Sequence, residues 1–206
     1  MEQIFNPDNF LWRWCGKVAD FFLLSCLWLL CCVPIVTIGA SSVALYDAVA
    51  HCVRGPEGDT YKRFFRTFKA ELLRGIGITA VWAVLTIILS TGYNYLCHMA
   101  EANQAAAIYA IAFGVSTLIP AGVLCWVLAV ESRFAHSFTS LHKTAIYFAI
   151  AHLPSTAAIT ALLVLCGIGI TYLPFLAMVL PAAMVYLQSW FIERIFGKYM
   201  PQEAEA

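Results

Sequence analysis

Residues 144–192 contain no Lys, Arg, Asp or Glu. Forty-nine uncharged residues in succession are about twice the roughly 20–25 that carry a helix across a bilayer. Helices of soluble proteins average about 10–14 residues, and no soluble core needs an uncharged run of this length. The stretch therefore predicts two membrane spans joined by a tight turn. Gly167-Ile168-Gly169 is the expected turn, dividing the run into spans 144–166 and 170–192.

Composition agrees with that class. Hydrophobic residues make up 62% of the 206-residue chain and charged residues 12%, against roughly 25% charged in soluble domains. The reading is one all-α, polytopic membrane domain over 1–206. Net charge is zero, so no bulk field recruits nucleic acid, and no such partner is expected. The eight cysteines lie mostly inside apolar runs and read as small packing residues, not as a disulfide framework. Cys31-Cys32-Val33-Pro34 has no His or carboxylate one helical turn away to complete a thiolate site, so neither metal nor cofactor is expected. Arg13 and Lys17 precede an apolar run as in a signal peptide. The uncharged stretch 21–46 is longer than a typical h-region, which favours a retained helix.

Along the chain, residues 1–17 form an interfacial lead-in, with a turn at Asn6-Pro7-Asp8-Asn9 and with Phe10, Trp12 and Trp14 at headgroup level. A first span over 18–48 is expected to break near Pro34, which removes a backbone donor and clashes with the preceding turn. Thr37, Gly39, Ala40, Ser41 and Ser42 after it are small and favour close helix packing in lipid. Residues 54–74 hold six of the twelve basic residues. After a loop at Gly55-Pro56-Glu57-Gly58-Asp59, Tyr61, Phe64, Phe65, Phe68 and Leu72 fall on one helical face, with Lys62, Arg63, Arg66 and Lys69 largely off it. This pattern fits a solvated juxtamembrane segment, a helix lying on anionic headgroups, or a helix docking a partner. Arg63, Phe64, Phe65, Arg66, Phe68 and Lys69 are the candidate docking residues.

Spans at 75–97 and 105–130 follow, and 193–206 is a polar tail. Segments 98–104 and 167–169 carry no Lys or Arg, whereas 54–74, 131–143 and 193–206 do, which puts the latter three in the cytoplasm. Five spans result, with the amino terminus outside. In the alternative, 18–53 folds into a hairpin about Pro34, giving six spans with all twelve basic residues inside. Pro120 and Pro181 each precede an arginine by thirteen residues, with a glutamate just before it, a pattern that suggests a parallel repeat.

The sequence carries no phosphate-binding loop, no His-Glu-x-x-His, no Gly-x-Ser-x-Gly and no paired carboxylates. An enzyme is therefore not expected. Polar groups inside spans are the default place to seek function, and these are Asp20, Asp47 and His152, with Asn94 and Gln188. Pro34, Thr37, Gly39, Ser41 and Ser42 would line a cavity if the broken helix exposed backbone groups to water.

The first third of the chain resembles the YesL family of bacterial integral membrane proteins, a domain-of-unknown-function family. The resemblance rests on Phe5-Asn6-Pro7, on Lys17-Val18-Ala19-Asp20 and above all on Trp28-Leu29-Leu30-Cys31-Cys32-Val33-Pro34-Ile35-Val36-Thr37-Ile38-Gly39-Ala40. It continues through Ala44-Leu45-Tyr46, Arg54-Gly55 and Phe64-Phe65 with Phe68-Lys69, covering about residues 5–75. Ser25-Cys26 departs from it, standing where an asparagine is expected. The resemblance implies a multi-pass protein of the bacterial cytoplasmic membrane with an accessory or regulatory role in carbohydrate uptake or utilisation. Its implied partner is the permease of a sugar-uptake ATP-binding-cassette system. A small transporter or channel, acting alone or as an oligomer, is the alternative.

Overall fold

The computed structural model of the protein describes residues 10–53, 59–102, 104–134 and 137–199. The expected turn at 6–9, the loop at 55–58 with Arg54, the tail beyond 199 and the side chains of Phe10, Trp12, Arg13 and Trp14 lie outside the described residues. Every regular element among them is helical: α1 (Phe10–Cys32), a 3-10 turn (Ile35–Thr37), α2 (Ile38–Ala48), a π-helical turn (Val49–Val53), α3 (Thr60–Ala70), α4 (Leu72–Ala102), α5 (Gln104–Ser116), α6 (Leu118–Arg133), α7 (Phe138–Ala151), α8 (Leu153–Tyr172), a second 3-10 turn (Pro174–Met178) and α9 (Leu180–Tyr199). Among the described residues, four stretches, Ile35–Val53, Leu72–Ala100, Ala106–Arg133 and Leu153–Tyr172, are long and apolar enough to cross a membrane.

The segment expected as one span broken at Pro34 is instead two helices folded back on each other. Trp28 Nε1 donates to Ser42 Oγ at 3.1 Å, and Cys32 Sγ lies 3.1 Å from Ser41 Oγ. Residues 28 and 42 of one continuous helix would stand about 21 Å apart. Pro34 cannot donate to the α1 ladder, and the Thr37 hydroxyl gathers the carbonyls of Cys31 and Pro34 at 2.5 and 2.6 Å. Thr37 is thereby used up as an N-cap for α2. A distant hydroxyl replaces it: the Gly39 N–H donates to Thr79 Oγ1 at 2.8 Å, and Thr79 Oγ1 donates to Gly75 O at 2.9 Å. Gly39 and Gly75 are the point of closest approach of α2 and α4. A Cβ on Gly75 would run into the Ala40 backbone, and one on Gly39 into the Gly75 carbonyl. Small residues here let two backbones meet, which is the main packing device available between helices in lipid.

The second reversal also differs from expectation. Gly167-Ile168-Gly169 lies inside α8, and the chain turns after Leu173, where Pro174 follows. Leu173 adopts φ −134° and ψ 82°, outside the helical region that a following proline disfavours. A methyl group in place of the Gly167 hydrogen would meet nothing within 4 Å, so the smallness of this residue serves no turn. Prolines mark two further breaks. Pro154 has no N–H to give the Ile150 carbonyl, and α7 gives way to α8 at His152, which takes φ −124° and ψ 52°, and Pro120 leaves the α5–α6 junction at Thr117 with a long Ala121 N–H to Thr117 O bond of 3.4 Å.

α6 runs through the centre. Trp126 on it is fully buried against Phe148 and Phe196, and its Nε1 donates to Thr156 Oγ1 at 3.0 Å. Ser25 of α1, fully buried, accepts the Ala182 N–H at 3.1 Å. It thereby caps the first turn of α9.

Candidate functional site

The polar residues converge where α2 and its π turn meet α3, α6 and α9. Asp47 is the hub and is buried. Its carboxylate accepts Arg63 Nε at 2.9 Å and the second Arg63 nitrogen at 3.0 Å, a bidentate pair. It also accepts Thr67 Oγ1 at 2.5 Å and faces His51 Nδ1 at 2.9 Å. On its other side, His51 Nε2 lies 2.6 Å from an Arg133 guanidinium nitrogen. Arg133 in turn clasps Glu193, with Nε to Oε1 at 2.9 Å and the terminal nitrogen to Oε2 at 2.8 Å. The Tyr46 hydroxyl donates to the same Glu193 oxygen at 3.2 Å. An unbroken polar chain thus runs Arg63–Asp47–His51–Arg133–Glu193–Tyr46 and ties four helices together. Every charge in it faces the bundle interior with a partner of opposite sign within reach, as ionisable groups next to a bilayer require.

Beside the chain lies a cavity of about 350 Å³, lined by Asp47, Arg63, Arg66, Thr67, Glu71 and Glu131 among others. Arg74, half exposed, reaches buried Glu131 at 3.5 Å. A larger groove of about 760 Å³ between α5–α6 and α7–α8 has an almost wholly apolar lining that includes Ile119, Ile146, Ile150 and Leu153. The two threonines on its wall are committed within the helices: Thr156 and Thr160 donate to backbone carbonyls of Ala149, His152 and Thr156.

The six candidate docking residues divide by face of α3. Phe64 is fully buried, and Phe68 packs partly buried against the same core, stacked on Phe64 at 6.3 Å. Arg63 is committed to Asp47. What α3 presents outward is Tyr61 at 47% exposure and Phe65 at 40%, together with exposed Lys62, Arg66 and Lys69. Asp59 binds Lys62 at 2.7 Å, and its hydrogen bond and charge hold the Lys62 ammonium above the ordinary lysine pKa.

The small residues after Pro34 take up packing positions. Gly39 and Ser41 are buried, Ser42 accepts Trp28, Thr37 binds its own turn, and Pro34 sits in the exposed reversal. Neither of the two cavities above, nor a third between α4 and α6, is lined by any of them. Among the intramembrane polar residues, Asp47 is the hub. Asp20 accepts Thr60 Oγ1 at 3.4 Å. His152 stands apart at the α7–α8 break, its Nε2 3.4 Å from the Tyr199 hydroxyl. Gln188 donates to Ile159 O at 3.1 Å, closing α9 onto α8. The sequence alone does not single out His51 or Thr67, and it marks Arg133 and Glu193 only as parts of a repeat, not as a pair. Their signal there is charge or polarity at the ends of apolar runs, which names no partner.

Fold and site together define a helical protein of membrane type with a charged clasp joining its helices. Residues 21–93 match the model of the family described as "Protein of unknown function, DUF624", in keeping with the YesL-like resemblance of residues 5–75. No curated protein matches the chain, and no solved structure does.

Proposed function

We propose that this is an accessory or regulatory component of carbohydrate uptake in the bacterial cytoplasmic membrane, and that α3 is its docking element. The observation that carries the docking claim is the division of α3. One face is fastened to the bundle by Phe64 and by the Arg63–Asp47 pair, while the other offers Tyr61 and Phe65 among exposed cations. A helix needing only to cover the bundle has no use for two exposed aromatic rings beside Arg66 and Lys69. Rings and basic side chains together suit the cytoplasmic surface of a membrane partner, with anionic headgroups at the rim. The carbohydrate context comes from the family resemblance alone.

The back-folding of α1 on α2 supports six helical legs with both ends cytoplasmic, since that arrangement keeps all twelve basic residues on one side. The test is co-purification of the full-length protein with the permease of a sugar-uptake ATP-binding-cassette system from the same cell. Phe65→Ala with Arg66→Ala should abolish it while leaving the thermal midpoint unchanged. Equal recovery with the double variant would remove the docking claim. A small transporter is the second reading, favoured by the charged 350 Å³ cavity. Sugar flux in vesicles holding this protein alone would establish it in place of the first.

A further inference from the structure

We infer that the cavity between α4 and α6 is a binding site for an uncharged, lipid-soluble molecule that offers a carbonyl oxygen. The cavity measures about 330 Å³, within the range of small-molecule sites. Trp82, Thr86, Ser90 and Tyr93 line it from α4, at i, i+4, i+8 and i+11, which is a single helical stripe. Thr117 and Ala121 line it from the opposite wall. Trp82 stands eight residues beyond Arg74, about 12 Å of helical rise. The stripe therefore begins well inside a hydrocarbon core about 30 Å thick. Thr86 and Ser90 are exposed on the outer side of α4, so the cavity is entered from the bilayer.

The donors on the wall decide what the ligand must bring. The hydroxyl protons are spent inside their own helices: Thr86 Oγ1 donates to Trp82 O at 2.8 Å, Ser90 Oγ to Ile87 O at 3.0 Å and Thr117 Oγ1 to Gly114 O at 2.6 Å. The Trp82 indole is different. Its Nε1 is buried and has no hydrogen-bond partner among the described residues. An indole nitrogen only donates, and a buried donor without an acceptor is costly, most of all where lipid replaces water. The molecule that relieves it must supply an acceptor. No charged side chain among the described residues lines the cavity, so an anion would enter without a counter-charge. An alcohol would carry a donor of its own into the site, whereas a carbonyl is satisfied by the one indole N–H and asks for nothing in return. This site is independent of whatever docks on α3.

The test uses the full-length protein in nanodiscs of ether-linked phosphatidylcholine, which contains no carbonyl group. Two probes separate the sources of such an oxygen: dioleoylglycerol for a lipid ester and menaquinone for a quinone ring. At least one should move the Trp82 indole proton resonance downfield and saturably, while that of exposed Trp190 stays in place. Partition of that probe into protein-bearing over empty discs should fall roughly tenfold in Trp82→Phe, the worth of one hydrogen bond. Thr86→Phe fills the mouth from an exposed position and should abolish both the shift and the excess partition. It serves alone should Trp82→Phe fail to fold. No response of Trp82 to either probe, a response that persists in Thr86→Phe, or a stronger response to oleyl alcohol than to both carbonyl probes would overturn the assignment.

Discussion

The helices α2 and α4 are both apolar and have opposite surroundings. In the span Ile35–Val53, 61% of the best apolar window is buried inside the protein, whereas in Leu72–Ala100 the figure is 11%. α2 sits among α1, α3, α4, α6 and α9, held by a glycine contact at one end and the Asp47 clasp at the other. Beyond Gly75, α4 leans mainly on α5, and side chains such as Ile87 and Ile88 point outward. Both helices are apolar for different reasons. One is solvated by protein and tolerates an aspartate because neighbouring elements supply its partners. The outer face of the other is left to lipid, where no such partners exist.

That contrast can be broken by substitution. Asp47→Ala should cost most, about 3–5 kcal/mol, because it removes the buried carboxylate that joins Arg63, Thr67 and His51. A fall of under 1 kcal/mol in detergent unfolding would mean the clasp is not structural. Ile87→Lys should disfavour membrane insertion of α4 by about 3–4 kcal/mol in an insertion reporter. A neutral result would place that face against protein or water. Ser25→Ala should lower stability by about 1 kcal/mol, the value of a helix cap. Ile88→Ala should change stability by less than about 0.5 kcal/mol, and a larger shift would show that the outer face of α4 is packed.

The same contrast explains what the sequence could disclose. Hydropathy locates α4 and the α5–α6 leg to within a few residues, because lipid-facing helices are apolar on every side and end where charge begins. It misplaces the final turn, since glycine pairs in lipid are compatible with helix and Pro174 is the true punctuation. The break at Pro34 is legible, but its consequence is not. Whether a broken helix bends or reverses depends on contacts such as Trp28 to Ser42 and Gly39 to Gly75, which no local pattern encodes. The aromatic periodicity of α3 correctly signals an amphipathic helix. Its buried stripe holds Phe64 and Phe68 and leaves Phe65 outside. Asp47 and Arg63 each stand out singly. Arg133 and Glu193, sixty residues apart, join them only through the fold.

Ser25 and the helix it caps are separated by 157 residues. At cellular elongation rates of about 5–20 residues per second, roughly 8–30 s pass between synthesis of the two. Throughout that interval the place of α9 is empty and the Ser25 oxygen lacks the Ala182 N–H that it accepts in the folded protein. The nascent chain therefore waits in an open form until its last helix closes the assembly. Quality control that recognises incompletely packed helices would have its longest opportunity on α1.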